Sequence, residues 1–323
     1  RRHALRKERG KHKPKCGGDI EEAQGPFALL RSEMVSRVDK ISMLNESLTS
    51  VLPDLEGDEV TFIGSTFMRF GEVEPYRNHC LVRGACAKVE GAEIETVTNE
   101  RSLLVSWANL IREENPDIII GYNIFGFDYA FMYERAKDLG CVDSFLKLSS
   151  CLDGDGMPEV CDSYNWKTKQ RGLHESMVVL ASGEHLLKYP KINGRLQIDL
   201  YNYLRRDFQL TQYKLDYVAG HFIGDGVRQL EHLAGSGKTK VISANLIGLS
   251  KGAFVTFEEE AHSVDQYAEG RKFKVLDVED DGFVVKGHVR PDMSKKVRWG
   301  LAKDDVTPQD IFRMTNEGPE SRA

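Results

Sequence analysis

The sequence predicts an α/β fold, in which a mixed β-sheet is flanked by helices and carries an inserted β-hairpin. Runs of β-forming residues at 60–70, 79–83 and 117–122 alternate with amphipathic stretches of helical periodicity. Two later β-rich runs, Phe273–Val278 and Gly282–Val289, flank an acidic turn that ends in glycine, which favours a hairpin. The sequence contains no internal repeat, so a repeat architecture is not indicated.

Two helices are predicted in the first third of the chain. Residues 27–52 carry apolar side chains every three to four positions and predict an amphipathic helix ending near Pro53. Asn99 is a suitable N-cap for a second helix, which continues to about Glu114. The predicted buried side of that helix consists of Leu103, Leu104, Trp107, Leu110 and Ile111.

The most informative segment follows Pro116. Three consecutive isoleucines before Gly121 predict a short buried strand, and apolar residues between Asp128 and Gly140 recur at roughly helical spacing. Asp128 therefore follows a strand and begins a helix. In open α/β sheets ligands bind beyond the carboxyl ends of the strands, where a carboxylate is suited to hold a divalent cation. The alternative is that Asp128 only caps its helix.

Further elements are predicted in the second half of the chain. Residues 149–172 are rich in Asp, Gly and Ser and predict a loop, and residues 176–181 predict a strand. The run that starts at Leu196 begins apolar and continues into a helix. Another helix is predicted at 214–222, and Thr307-Pro308 is typical of a helix start.

Composition narrows the class of protein. The chain has 323 residues, 41% hydrophobic and 29% charged, enough for one large domain or two ordinary ones. No apolar run approaches the ~20 residues of a membrane span, so no membrane association is expected. A net charge of -6 argues against indiscriminate nucleic-acid binding but leaves local basic patches open. The six cysteines form no C-x-x-C pair, so we expect reduced thiols in an intracellular protein instead of a zinc site.

Several motifs resemble family B DNA polymerases. Asn123-x-x-x-Phe127-Asp128, behind the strand Asp117–Tyr122, is similar to the second exonuclease motif of that family. Residues 194–207 and 210–219 resemble its next block, and residues 58–67 resemble the second strand of the same domain. The likeness is closest to delta-like enzymes of eukaryotes and large DNA viruses. It implies a ribonuclease H-like sheet.

The resemblance also implies a domain organisation. Residues 58–323 are expected to form part of a 3′→5′ exonuclease domain, and residues 1–57 a basic arm followed by an insertion or linker helix. The chain is expected to be truncated at both ends. The implied activity is proofreading at a single-stranded primer 3′ end. The expected partners are DNA, the rest of the polymerase chain and a sliding clamp or accessory subunits, in the nucleus or at a viral replication site.

The family site implies two Mg²⁺ ions, with Mn²⁺ as a possible substitute, held by acids from D-x-E, N-x-x-x-F-D and Y-x-x-x-D motifs. By this resemblance Asp128 is a metal ligand, Asn123 orients the strand end or the local loop, and Phe127 packs beneath it. Asp19 and Glu21 have the letters of the first motif but lack a preceding buried strand, so the true pair is expected before Arg1. The third motif is expected beyond the end of the chain.

For several other residues the sequence allows two interpretations of their role. The set Arg205, Arg206, Tyr213 and Lys214 offers charge and an aromatic ring for single-stranded DNA, or forms a solvated helix face with a half-buried tyrosine. Asp199 supports the site through a neighbour or caps a helix. Residues 235–239 resemble a P-loop, but His232 stands where glycine is required, which favours a surface loop. The basic residues 1–15 contact phosphate or form a solvated arm.

Two alternatives to the polymerase reading remain open. One is a non-catalytic nucleic-acid-binding module that retains the fold without its acids. The other is a free-standing exonuclease.

Overall fold

A computed structural model describes residues 30–31, 33–51, 57–166, 169–180, 183–233, 235, 237–303 and 306–323. The chain divides into two compact units, Arg1–Asp58 and Glu59–Ala323, and each is described by itself. In the first unit, helix α1 spans Arg37–Val51, so it begins later than the sequence predicts. The basic segment 1–15, Asp19 and Glu21 lie outside the described residues.

The second unit begins with a three-stranded mixed sheet. Its strands are β1 (Phe62–Phe67), β2 (Arg77–Arg83) and β3 (Glu93–Val97). Strand β2 is antiparallel to β1 and parallel to β3. The predicted strands at 60–70 and 79–83 are thus confirmed, whereas β3 carries too little apolar pattern to have been predicted.

Helix α2 (Glu100–Glu114) begins where the sequence predicts. The Asn99 side chain accepts a hydrogen bond from the Ser102 amide at 2.8 Å, and all five residues of the predicted apolar side are buried. Glu100 at the helix start accepts from the Val60 amide at 2.8 Å and forms a buried ion pair with Arg135. These contacts join α2 to the chain before β1 and to the helix that follows Asp128.

Two parallel strands, β4 (Ile118–Gly121) and β9 (Leu196–Asp199), carry the helices of the predicted site. Helix α3 (Asp128–Asp138) follows β4, and helix α5 (Leu200–Asp207) follows β9 directly. Between them lie one short helix and two hairpins: α4 (Val142–Phe145), β5 (Ser163–Asn165) with β6 (Gln170–Gly172), and β7 (His174–Leu180) with β8 (Gly183–Tyr189). The predicted loop at 149–172 therefore contains a hairpin.

The prediction that β4 is buried is wrong. Ile118 and Ile120 are 41% and 56% exposed. These two side chains lie on the same face of the strand, whereas Ile119 on the other face packs against the core. Among the described residues β4 pairs only with β9, and β1 only with β2, so the single mixed sheet that the sequence predicts is seen as one three-stranded sheet and one two-stranded sheet.

The last third of the unit forms a six-stranded antiparallel barrel, which follows helix α6 (Leu215–Phe222). A short strand, β13 (Val264–Gln266), pairs with β12 outside the closed ring. The barrel strands are β10 (Gly224–Leu233), β11 (Lys238–Ser243), β12 (Phe254–Glu260), β14 (Phe273–Glu279), β15 (Gly282–Lys286) and β16 (Lys296–Ala302). The order β12-β14-β15-β11-β10-β16 closes because β16 also pairs with β12.

The barrel corrects one prediction and extends another. The predicted hairpin is present as β14 and β15, but it is part of a closed barrel with its own buried core, which includes Phe257, Phe283 and Trp299. Of the P-loop-like residues, Gly235 and Gly237 lie in the turn between β10 and β11, and Lys238 and Thr239 begin β11. Helices α7 (Pro308–Glu317) and α8 (Pro319–Arg322) end the chain, and Thr307 caps α7 as predicted.

None of the helices in the described part of the chain is long and apolar enough to cross a membrane.

Candidate active site

The loop between β4 and α3 forms the centre of the site. Gly121 ends the strand at a position where any side chain would collide with Ile124. Asn123 then adopts the left-handed conformation with φ 61°, which asparagine tolerates better than most residues. Its carbonyl accepts hydrogen bonds from the amides of Gly126 and Phe127 at 3.0 and 2.9 Å. The loop is thus a tight turn that delivers Asp128 to the first position of α3.

Asp199 fixes this loop from the neighbouring strand. Because Gly121 lies opposite Asp199 in the parallel register, the carboxylate meets the loop directly. Its two oxygens accept from the backbone amides of Asn123 and Phe125 at 2.7 and 3.0 Å. They also accept from the Tyr201 amide at 3.0 Å and the Asn202 side chain at 3.1 Å. Asp199 therefore caps α5, which is one of the two roles that the sequence suggested for it. It also anchors the predicted catalytic loop.

A second support comes from the β7–β8 hairpin. The Lys188 amide donates to the Phe125 carbonyl at 2.8 Å, and the Phe125 ring stacks on Tyr189 with centroids 4.5 Å apart. The loop is held from two sides, so the backbone that precedes Asp128 has little freedom.

Asp128 lies half-buried at the start of α3. Burial raises the pKa of its carboxyl above the usual value, and the negative charge of Asp199 adds to that rise. Within the described part of the chain its carboxylate accepts no hydrogen bond from another side chain. An acid that is desolvated, close to a second acid and without a cationic partner there is suited to receive a cation.

Phe127 corrects the sequence expectation. It does not pack beneath the site: its side chain is 57% exposed, and its ring stacks on Phe131 with centroids 5.5 Å apart. The exposed ring lies immediately before Asp128 in the chain. The bases of single-stranded nucleic acids stack on exposed aromatic rings of this kind in other proteins.

The four residues predicted to contact single-stranded DNA fall into two groups. Arg205 and Tyr213 belong to an internal cluster: the Arg205 guanidinium lies 5.1 Å from the Tyr201 ring centroid and 5.5 Å from that of Tyr213. The Tyr213 hydroxyl donates to the Phe208 carbonyl at 2.6 Å. Arg206 and Lys214 are exposed, although Arg206 also pairs with Asp207.

One contact links this aromatic cluster to the loop that precedes Asp128. The Tyr122 hydroxyl donates to the Tyr213 carbonyl at 2.7 Å, and its ring packs edge-on against Tyr201. Burial raises the pKa of Tyr122, and the nearby charges of Asp199 and Asp216 contribute to the rise. The sequence shows Arg205 and Tyr213, but it does not reveal that their cluster braces the loop through the Tyr213 carbonyl.

The metal set implied by the resemblance is only partly present. Across the residues that the structure describes, no three His, Cys, Asp or Glu side chains are grouped to hold a metal ion. Asp128 fits such a role by its chemistry, whereas the oxygens of Asp199 already accept four hydrogen bonds. The alternative ligands Asp19 and Glu21 lie outside the described residues.

The geometry is that of an α/β protein in which Asp128 and Asp199 lie at the carboxyl ends of two parallel strands, where ligands bind in folds of this class. Comparison with known sequences then identifies the family. The profile for the exonuclease domain of DNA polymerase family B matches residues 40–218, more than half of the chain. The chain therefore belongs to the family B DNA polymerases and carries their exonuclease-domain region, which confirms the resemblance.

Comparison with individual sequences gives the same family. The chain is 38% identical to a DNA polymerase of Phaeocystis pouchetii virus over 88% of its own length and 28% of the viral protein. Identity to a DNA polymerase of Pyramimonas orientalis virus is 34%, covering 88% of the chain and 21% of that protein. The DNA polymerase delta catalytic subunit of Arabidopsis thaliana is 32% identical over 56% of the chain and 15% of the relative. The chain spans less than a third of each.

Proposed function

We propose that this chain supplies the second motif of a 3′→5′ proofreading exonuclease within a replicative DNA polymerase. The observation that carries the proposal is the position of Asp128, half-buried beyond the paired strands β4 and β9 and next to a loop anchored by Asp199. The family match supplies the reaction class.

Divalent cations such as Mg²⁺, when bound, activate water and stabilise the negative charge that develops during phosphodiester hydrolysis. In this chain Asp128 is the residue to hold one, directly or through water. Asn123 shapes the loop that presents it, and the exposed Phe127 ring offers a stacking surface for the terminal base. In the described part of the chain no further acids of the D-x-E and Y-x-x-x-D kind are grouped with Asp128 to complete such a set.

The described residues gather too few acids to hold two ions, and this has a direct consequence. We expect this chain alone, with Mg²⁺ and single-stranded DNA, to show little or no end-digestion. Rapid digestion would show that the required acids lie within these 323 residues.

The decisive experiment uses the full polymerase that carries this chain. Asp128→Ala is expected to abolish removal of a mispaired primer end while leaving nucleotide addition nearly unchanged. Glu134→Ala removes a carboxylate from the surface of the same helix and serves as the matched control. Normal mismatch removal by Asp128→Ala would refute the proposed role.

One observation favours a second candidate, a nucleic-acid-binding module without catalysis. The described residues gather no three potential metal ligands, which a degenerate exonuclease fold would also show. The flanking sequence separates the two: acids in D-x-E and Y-x-x-x-D positions indicate the nuclease, and their replacement indicates the binder.

A further inference from the structure

The outer surface of the barrel carries three lysines side by side on three neighbouring strands. Lys238 of β11 is paired with Lys286 of β15 in the antiparallel register. Val275 of β14 is paired with Val285 of β15, so the same register places Lys274 opposite Lys286. We call Lys238, Lys286 and Lys274 the lysine row. The family profile ends at residue 218, before the barrel begins, so the family match assigns nothing to this surface.

The side chains of the lysine row point away from the barrel interior. Their neighbours in the chain, Thr239, Val275 and Val285, are buried. Successive side chains of a strand point to opposite faces, so the lysines lie on the outer face, and all three are exposed. Adjacent strands of a sheet are about 4.8 Å apart, so the row is about 10 Å long.

The charges of the lysine row are not offset within the described part of the chain. None of its three ammonium groups is paired there with a carboxylate. The other two lysines within the barrel strands do have such partners. Lys240 is paired with Glu279 and Asp281 at 2.7 and 3.0 Å. Lys296 is paired with Glu260 at 2.8 Å. The row is therefore an uncompensated positive surface on a barrel that otherwise pairs its strand lysines.

Folding alone does not explain this arrangement. Like charges directly opposite each other on neighbouring strands destabilise a sheet. Lysines on the edge of an open sheet protect it from pairing with other chains. That explanation does not apply here, because the barrel is closed and β11, β14 and β15 each have a neighbour on both sides. An anion bound across the row would remove the repulsion, so the row has the character of a binding surface for a polyanion.

The dimensions and chemistry of the row match the backbone of duplex DNA. Each strand of a duplex carries a phosphate about every 3.4 Å along the helix axis, so a row about 10 Å long spans about three of them. Surfaces for single strands also offer aromatic rings on which bases stack. The ring beside the row, Phe254, is half-buried and lies 5.9 Å from the Lys274 ammonium. The row thus offers charge without a free stacking surface, which favours a duplex over a single strand.

We propose that the lysine row binds the phosphate backbone of duplex DNA. Because phosphate contacts carry no sequence information, this binding is independent of sequence. The barrel then has a DNA-contacting surface of its own. This role does not depend on the proposed exonuclease function, since a chain unable to hydrolyse DNA would still bind a duplex through the row.

The test measures binding of the unaltered chain and its variants to a labelled duplex of about 20 base pairs, at salt concentrations between about 50 and 200 mM. Fluorescence anisotropy is recorded with EDTA present, so hydrolysis plays no part. The row variant is Lys238→Gln/Lys274→Gln/Lys286→Gln. The control variant, Lys240→Gln/Lys295→Gln/Lys296→Gln, removes the same charge from barrel lysines that already have carboxylate partners.

The salt dependence gives the expected size of the effect. Each phosphate contact contributes about 0.9 to the salt slope of duplex binding, so the row variant should reduce the slope by about 2.7. Three such contacts account for a roughly 40-fold change in affinity between about 50 and 200 mM salt. Lys286→Gln alone should weaken binding about 8-fold at about 0.1 M salt if affinities converge near about 1 M. Equal slope reductions in the row and control variants, or no duplex binding by the unaltered chain, would overturn the proposal.

Unfolding in urea tests the argument from repulsion. The row variant should unfold at the same urea concentration as the unaltered chain or a higher one, because its substitutions remove like charges that face each other. A lower midpoint would show that the lysines stabilise the barrel, and the row would then need no ligand to explain it.

Two competitors identify the occupant. Polyglutamate at a matched concentration of charge should fail to displace the duplex, and efficient displacement would assign the row to an acidic protein instead. A single-stranded oligothymidylate should lose less affinity than the duplex when the row is neutralised. A loss confined to the single strand would reject the duplex as the occupant.

Discussion

Asp199→Asn is the substitution that tests most directly how the loop before Asp128 is held. The wild-type carboxylate is 5% exposed and accepts four hydrogen bonds, from the amides of Asn123, Phe125 and Tyr201 and from the Asn202 side chain. Asparagine keeps one acceptor oxygen and replaces the other with an NH₂ group. That group faces donors, so at least one backbone N–H of the loop or helix loses its partner.

The magnitude follows from these contacts. An unsatisfied buried donor costs about 1–3 kcal/mol, and bonds to a charged acceptor are worth about 1.5–3 kcal/mol. We expect the free energy of unfolding to fall by about 2–3 kcal/mol, while asparagine retains its ability to cap α5. Asn202→Ala removes the side-chain donor to Asp199 and leaves the backbone hydrogen bonds to that carboxylate intact. The free energy of unfolding should therefore fall by about 1 kcal/mol or less.

Urea unfolding gives the global loss, and hydrogen exchange gives the local one. Exchange of the Phe125 or Asn123 amide should accelerate about 30-fold, the factor that corresponds to roughly 2 kcal/mol. If Asp199→Asn unfolds at the same urea concentration as Asn202→Ala and exchange in the loop is unchanged, the anchoring argument is wrong.

Three other predictions concern the same unit. Phe127→Ala should weaken single-strand binding at least about 5-fold with little loss of stability, whereas Phe70→Ala, at another exposed ring, should leave binding unchanged. Glu100→Gln should lower the free energy of unfolding by about 3 kcal/mol, since it leaves the buried Arg135 guanidinium with the exposed Asp138 carboxylate as its remaining ionic partner among the described residues; urea denaturation showing under 1 kcal/mol would contradict this. The raised pKa of Asp128 means that its contribution to stability is present below its usual value of 3.8 and lost as the pH rises through the folded pKa. Asp128→Asn should therefore be more stable than wild type at pH 7, with the difference vanishing near pH 3; equal stability at pH 7 would refute it.

The sequence predicted the local features of the site because they depend on neighbouring residues. The Ile-rich strand, the turn at Asn123 and the helix start at Asp128 are set within one short segment. The anchoring role of Asp199 is different in kind, because it joins residues 76 positions apart. Only the parallel register of β4 and β9 brings that carboxylate to the loop.

The same limit explains the wrong prediction for β4. Three isoleucines indicate burial on both faces, but whether a face is covered depends on elements that pack on it from elsewhere in the chain. Here Ile119 packs against the core, whereas Ile118 and Ile120 lie on the opposite face and are exposed.

The barrel shows how a chain can add a folded module without disturbing an existing site. Its first and last strands meet, because Gly224 lies opposite Gly300, so the chain enters and leaves at one place. An insertion with adjacent ends requires little change in the protein that receives it. The two viral alignments leave less of the chain unmatched than the barrel occupies, so those relatives share part of it. Among the described residues α6 rests directly on β16, where Gly220 and Gly300 leave no room for side chains, so a module attached there can vary among polymerases without altering the loop that presents Asp128.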